Sequence, residues 1–420
     1  MKRLTLAATL ALCLAASAQA ADQWHFDFGA TSSAGRTVVT PETLYNATRG
    51  FGFQPGKPVF FSADLPEGNY QVTIAFGEAR AASSTTIKAE LRRLMLENVT
   101  AAAGETVTRT FTVNVRTPQI KAVEGIAAGV VKLKTPREAV GEAWAWDSRL
   151  TIELNGAHPA VRSIDIVPVK APTLFLLGDS TVCDQSGEPY ASWGQMLPRF
   201  FKAGVAVANH GESGETYRDS LGRRRIDKIV SVMAPGDTVL LQFGHNDQKQ
   251  IKDGKGGPFT TYKAEIRTHV AMIRAHGGVP VIVSPMERRG FDENGKVRPS
   301  LIDYADAARQ TAQELGTAFI DLNAMSKPFY EALGPERSQL AFAEPTPGHV
   351  DNTHHNNYGA YELAKMIVTG IQRAKLPVAA FVRDDFGSFD PAHPDPVERF
   401  AVQASPSLVQ ERPLGDEANK

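Results

Sequence analysis

Two periodicities divide the chain. From about residue 22 to 168, apolar and polar residues alternate in short runs: His25 to Phe28, Pro58 to Ser62, Tyr70 to Phe76, Thr106 to Val115, Leu150 to Leu154 and Val161 to Val167. Turn-forming clusters such as Pro66-Glu-Gly-Asn69 and Asn155-Gly156 separate them, and a period of two bounded by turns marks half-buried strands. Many short strands without an intervening helical pattern predict an all-β, jelly-roll-like sandwich over residues 21–170. Pro168-Val-Lys-Ala-Pro172 reads as a linker.

Beyond it the pattern changes. Apolar runs of strand length, Thr173 to Leu177, Val205 to Asn209, Thr238 to Phe243, Val279 to Ser284 and Ala318 to Leu322, alternate with stretches whose apolar residues recur at helical spacing, among them Tyr262 to Ala275, Ile302 to Leu315 and Tyr358 to Ala374. Such alternation predicts βαβ units, hence a parallel five-stranded sheet with helices on both faces. The expected architecture over residues 171–380 is a three-layer, flavodoxin-like α/β domain. Residues 381–420, rich in Pro, Asp and Ser, read as an extension that wraps the surface or is partly disordered.

The first 20 residues are of another kind. Lys2 and Arg3 precede an apolar run from Leu4 to about Ala16 and then Ser17-Ala18-Gln19-Ala20, the order of a cleavable secretory signal. The run is shorter than the roughly 20 residues that span a bilayer, so the expectation is export, to the periplasm or the medium, without a membrane anchor. Of the two cysteines, Cys13 lies in this segment. That leaves Cys183 alone, a small buried filler beside a turn, and stability must come from packing. A formal charge of −1 without a long basic run argues against a nucleic-acid partner.

Candidate chemistry gathers at strand ends. Leu174 to Thr181 is an apolar run that stops at Gly178-Asp179-Ser180, and residues just beyond the carboxyl ends of parallel strands face the ligand crevice. By itself this is as readily a polar turn. The next two strands end in Asn209-His-Gly-Glu-Ser-Gly214 and Gly244-His245-Asn246-Asp247. Asp351-Asn-Thr-His354 precedes the last helix, and a carboxylate three residues before a histidine can hold its Nδ1–H and leave Nε2 to take a proton. Alone, Asp351 is equally well a helix cap.

Together, Gly178-Asp179-Ser180, Gly214, Gly244-x-Asn246-Asp247 and Asp351-x-x-His354 resemble the four ordered blocks of the SGNH, or GDSL-type, hydrolases. The variants Gly-Asp-Ser-Thr181, Phe243-Gly-His-Asn-Asp-Gln248 and Asp351-Asn-Thr-His-His355 are most similar to those of rhamnogalacturonan acetylesterases. A β-sandwich, here of galactose-binding-like type, also precedes the hydrolase domain in secreted members of that group. The resemblance implies Ser180 as nucleophile, His354 as base and Asp351 as its orienter. Backbone N–H groups of Ser180 and Gly214 and the Asn246 amide would form the oxyanion hole. It implies no metal or organic cofactor, and an acetylated polysaccharide, pectic rhamnogalacturonan above all, as substrate. Asp179, Trp193, Asp247 and His355 are further candidates for substrate contact. The same machinery could act on another acyl ester, and a carbohydrate-binding protein with an inert hydrolase domain is the reading from a different class.

Two departures stand out. Thr181 replaces the leucine of the GDSL name, and Gly211-Glu212-Ser213 stands where such enzymes usually carry apolar residues. Other residues have two readings. His349, Asp351, His354 and His355 could be a metal cluster, but their spacing is not that of a zinc helix, and ligation would leave Ser180 without a base. Trp193 is a sugar-stacking aromatic or a core residue. Arg223-Arg-Arg225 either attracts anionic sugars or lies on a solvated helix face.

Overall fold

The computed structural model describes residues 23–29, 34–252, 254, 256–406 and 413. The signal-like segment and most of residues 407–420 lie outside them.

Alternation along the first half produces two five-stranded sheets. One runs in the order Thr37–Val38, Trp24–Asp27, Val161–Pro168, Gly68–Phe76, Val107–Val115, and the other in the order Phe51–Gln54, Lys57–Asp64, Arg149–His158, Ser83–Ala89, Arg93–Ala101. All pairs are antiparallel except that of the first sheet's edge strand, Thr37–Val38, with Trp24–Asp27. Every second side chain points inward, so Val72, Ile74 and Phe76 of one sheet meet Phe61, Ile87 and Ile152 of the other in a common core.

Residues after 172 form a parallel sheet in the order Ala206–Asn209, Thr173–Gly178, Thr238–Gln242, Val279–Val283, Ala318–Ile320. Its strands read as continuous apolar runs because both faces are covered. Leu174, Leu176, Leu240 and Val281 pack with the helix Asn357–Arg373 on one side. Phe175, Leu177, Leu241 and Ile282 pack with the helices Arg225–Val232, Lys263–Ala275 and Ile302–Leu315 on the other. This is the three-layer α/β fold expected from the sequence, with the order reversing at the first strand, the point at which open sheets of this kind bind their ligands.

The hairpin of Ser83–Ala89 and Arg93–Ala101 has no counterpart among the expected strands. Its turn enters the α/β half: Leu91 joins one core cluster of the parallel sheet and Leu94 the other. Glu90 and Arg92 take left-handed backbone conformations there, φ 56° and 62°. The extension after 380 wraps the surface as far as it is described. The Lys88 ammonium donates to the Gln403 carbonyl and the Ser405 hydroxyl, both at 2.7 Å, and Ser405 N–H donates to Glu188 at 2.9 Å.

Candidate active site

Ser180 follows the strand Thr173–Gly178 on a tight turn, where the N–H groups of Val182 and Cys183 donate to the Asp179 carbonyl, both at 3.0 Å. Glycine at 178 permits the turn: a Cβ there would stand 2.4 Å from the Gln242 carbonyl oxygen of the adjacent strand. Gln185 Nε2 donates to the Ser180 carbonyl at 2.7 Å and anchors the far side.

The hydroxyl so presented meets its partners directly. Ser180 Oγ lies 2.8 Å from His354 Nε2, and His354 Nδ1 lies 2.9 Å from Asp351 Oδ2. Asp351 Oδ1 accepts from the backbone N–H groups of Thr353 at 2.7 Å and His354 at 2.9 Å, so one carboxylate fixes both its loop and the ring. The cap of the following helix is Asn356, whose side chain accepts from Gly359 N–H, which leaves Asp351 to the histidine. Burial by itself would raise the Asp351 pKa. The hydrogen bond and charge of His354 and the two N–H groups outweigh it and hold the carboxyl at about 2. An ionised Asp351 keeps the proton on Nδ1 and the lone pair of Nε2 toward the serine. Ser180 is 2% and His354 3% exposed. The Tyr190 ring stands edge-on to the imidazole, centroids 6.0 Å apart.

The GDSL-like Lipase/Acylhydrolase family matches residues 176–360, a span holding all three residues. The rhamnogalacturonan acetylesterase RhgT of Bacillus subtilis (strain 168) is 39% identical over 215 residues, covering 49% of this chain and 91% of that protein. The chain belongs to the GDSL-like lipase/acylhydrolase family. It is a carboxylic ester hydrolase. The probable rhamnogalacturonan acetylesterase YesY of the same organism is 32% identical over 207 residues, 49% of this chain and 94% of that protein. The uncharacterized esterase YxiM, also of B. subtilis, is 25% identical over 385 residues, 83% of this chain and 91% of that protein. That likeness therefore extends into the β-rich half.

In this GDSL-type esterase the other candidates fall into two groups. Gly214 and Asn246 belong to loops that touch each other beside the nucleophile turn. Asn246 Nδ2 donates to the Glu215 carbonyl at 3.1 Å, and its amide carries a second hydrogen. Gly214 has φ 74°, a conformation that glycine adopts without strain. Ser213 Oγ stands 3.5 Å from Cys183 Sγ and 3.4 Å from Gln185 Nε2.

The four substrate-contact candidates are all buried, as Ser180 and His354 are, and differ in their partners. Asp179 is 0% exposed. Its Oδ1 accepts from Thr181 N–H at 3.0 Å and Thr181 Oγ1 at 2.8 Å, and Oδ2 is 3.3 Å from His245 Nδ1. It fastens the turn. Trp193 is also 0% exposed, a core aromatic whose Nε1–H donates to Gln242 Oε1 at 2.7 Å, with no face for a sugar. His355 Nε2 is 2.9 Å from the Tyr330 hydroxyl, and burial, then the charge of His354, pushes its pKa down to about 3. Of the doublet, His355 thus bonds to Tyr330 in the core, and His354 to Ser180 and Asp351. Asp247 is buried too. Its Oδ1 accepts weakly from Tyr217 N–H at 3.4 Å, and burial, then Asp179, pushes its pKa well above the carboxylate range.

Thr181 has a structural reason. Its hydroxyl donates to Asp179 and accepts from Gln242 Nε2 at 2.8 Å, a link that leucine cannot make. Gln242 and Gln185 were not singled out from the sequence, and His245 only as part of its cluster, although Gln242 is a polar side chain directly after the apolar run Val239-Leu-Leu241. The arginine triplet serves neither suggested purpose at its last position: Arg225 is fully buried, 2.5 Å from Glu138 and 3.4 Å from Glu215. His349 turns to the Pro347 carbonyl at 3.3 Å, apart from His354 and His355. Among the described residues no three His, Cys, Asp or Glu side chains converge as metal ligands would.

Proposed function

We propose that the protein is an exported serine esterase that removes acetyl groups from a cell-wall polysaccharide, rhamnogalacturonan foremost. The hydrogen-bonded chain Ser180–His354–Asp351 carries the reading. Ser180 Oγ attacks the acetyl carbonyl as its proton passes to His354 Nε2. Charge on the carbonyl oxygen is met by the N–H groups of Ser180 and Gly214 and the Asn246 amide, fixed dipoles of a kind that each contribute about 3 to 4 kcal/mol to the transition state. The imidazolium then protonates the sugar oxygen as its bond to the acetyl carbon breaks, and the sugar leaves as the free hydroxyl. Water, deprotonated by His354, attacks the acetyl-enzyme and acetate departs. Burial of Ser180 and His354 favours a short acyl group. The names of the relatives RhgT and YesY favour the pectic glycan.

Ser180→Ala is expected to abolish acetate release with the fold intact, and more than a tenth of wild-type activity in that variant would sink the mechanism. For the substrate, acetate release is compared among acetylated rhamnogalacturonan, acetylated xylan and a long-chain aryl ester. Fast release from the aryl ester alone overturns the carbohydrate assignment, and no turnover even of an aryl acetate favours a sugar-binding protein.

A further inference from the structure

The acidic loop Gly211–Glu215, odd for its place beside an oxyanion donor, is matched by a basic partner from the β-rich half. Residues 131–146 lie between that half's strands, yet Val131, Ala145 and Trp146 pack in the same core cluster as Phe175 and Leu241 of the parallel sheet. From this segment Arg137, buried, donates through Nε to Glu212 Oε1 and through Nη2 to Ser213 Oγ, both at 3.1 Å. Its Nη2 also lies 2.9 Å from Glu142. Lys134 donates to the Ser213 carbonyl and pairs with Glu215 at 3.1 Å. On its other side the loop is held by Glu212 N–H donating to the Gly178 carbonyl at 2.9 Å, and by Asn246 bonded to the Glu215 carbonyl. Gly214 sits between these clamps.

We infer that Arg137 and Lys134 are positioning residues of the esterase: they set the loop that aims Gly214 N–H at the developing oxyanion, and the β-rich half is thereby part of the catalytic unit. The inference rests on the proposed role of Gly214. Glu212 and Glu215 are buried acidic side chains beside the proposed oxyanion donor; burial, then Glu142, pushes the Glu212 pKa well above its ordinary value, so hydrogen-bond partners are what fix their place. The planar guanidinium fork holds a carboxylate and a hydroxyl on adjacent residues from two separate nitrogens in a fixed plane, a geometry that the single nitrogen of an ammonium does not reproduce. An aim that matters only once charge has formed affects kcat and leaves ground-state binding alone.

The test uses the full chain and p-nitrophenyl acetate. Arg137→Lys keeps the buried charge but loses the fork, and R137M/E142Q/E212Q removes the cation together with both acidic partners, so that both variants are expected to retain the fold. Each is expected to lower kcat at least fivefold with KM within twofold of wild type. Arg199→Gln, which breaks the 2.8 Å pair with Glu97 between the two halves away from the site, is the control and is expected to change neither constant. Wild-type kcat in both Arg137 variants, a change confined to KM, or an equal loss in R199Q overturns the inference. Residual activity in Ser180→Ala instead overturns the esterase mechanism on which it rests.

Discussion

Asp351 does at the scale of one residue what the motif can only imply: three hydrogen bonds converge on a single carboxylate and keep it ionised. Asp351→Asn keeps the shape but lets the imidazole take the other tautomer, so kcat is expected to fall by about 10³- to 10⁴-fold with little change in KM. Steady-state kinetics on an aryl acetate checks this, and a loss under tenfold would remove Asp351 from the mechanism. The hydrogen-bonded set Ser180, His354 and Asp351 was legible because the chemistry proposed for it demands fixed residue types at strand ends and at a fixed spacing. The surroundings of the four substrate-contact candidates were not, because a three-residue motif says nothing of which way its neighbours point. Asp179 and Trp193 turn inward, and only burial reveals it.

Among elements, the strands Thr37–Val38 and Phe51–Gln54 and the hairpin Ser83–Ala101 were missed, and the failure at the hairpin has a physical cause. Alternation appears only where one face is wet. Here Thr86, Lys88, Glu90, Arg92 and Arg93 are as buried as Ile87 and Leu94, because one face meets the sandwich core and the other the α/β half. At its tip Arg92 donates to the carbonyls of Gln185 at 3.0 Å and Tyr190 at 2.7 Å, and pairs with Glu188 at 2.6 Å. Burial would raise the Glu188 pKa, but Arg92 and Asn357 hold it low. Arg92→Met is expected to destabilise by about 3 to 5 kcal/mol, the cost of leaving a buried charge unpaired. R92M/E188Q should recover part of it, and equal urea midpoints for Arg92→Met and wild type would refute the argument. The strands of the parallel sheet and three of its helices were readable, since both have strong periodicity over their full lengths.

Over the whole molecule, buried histidines tie stability to pH. Burial pushes His269 down to about 4 and His355 to about 3, whereas an unfolded chain protonates histidine near 6.5. Between about 6.5 and 4 the unfolded state therefore binds protons that the native state refuses, and acidification destabilises through these two groups. Burial also raises Glu90 to about 8 and Asp147 to about 6, which act in the opposite direction. The informative quantity is thus the difference between wild type and H269Q/H355N. The stability difference between pH 7 and pH 5 should be shifted in the variant toward the acid side, and parallel denaturation curves at both pH values would refute the assignment. The single thiol beside the nucleophile offers a different use. Cys183 is buried with its Sγ 3.9 Å from the Ser180 carbonyl and 3.5 Å from Ser213 Oγ, wedged between the nucleophile turn and the Gly214 loop. A thiol reagent can reach it only when those two loops part, so its labelling rate in the native protein is an internal clock for how often the active site comes open.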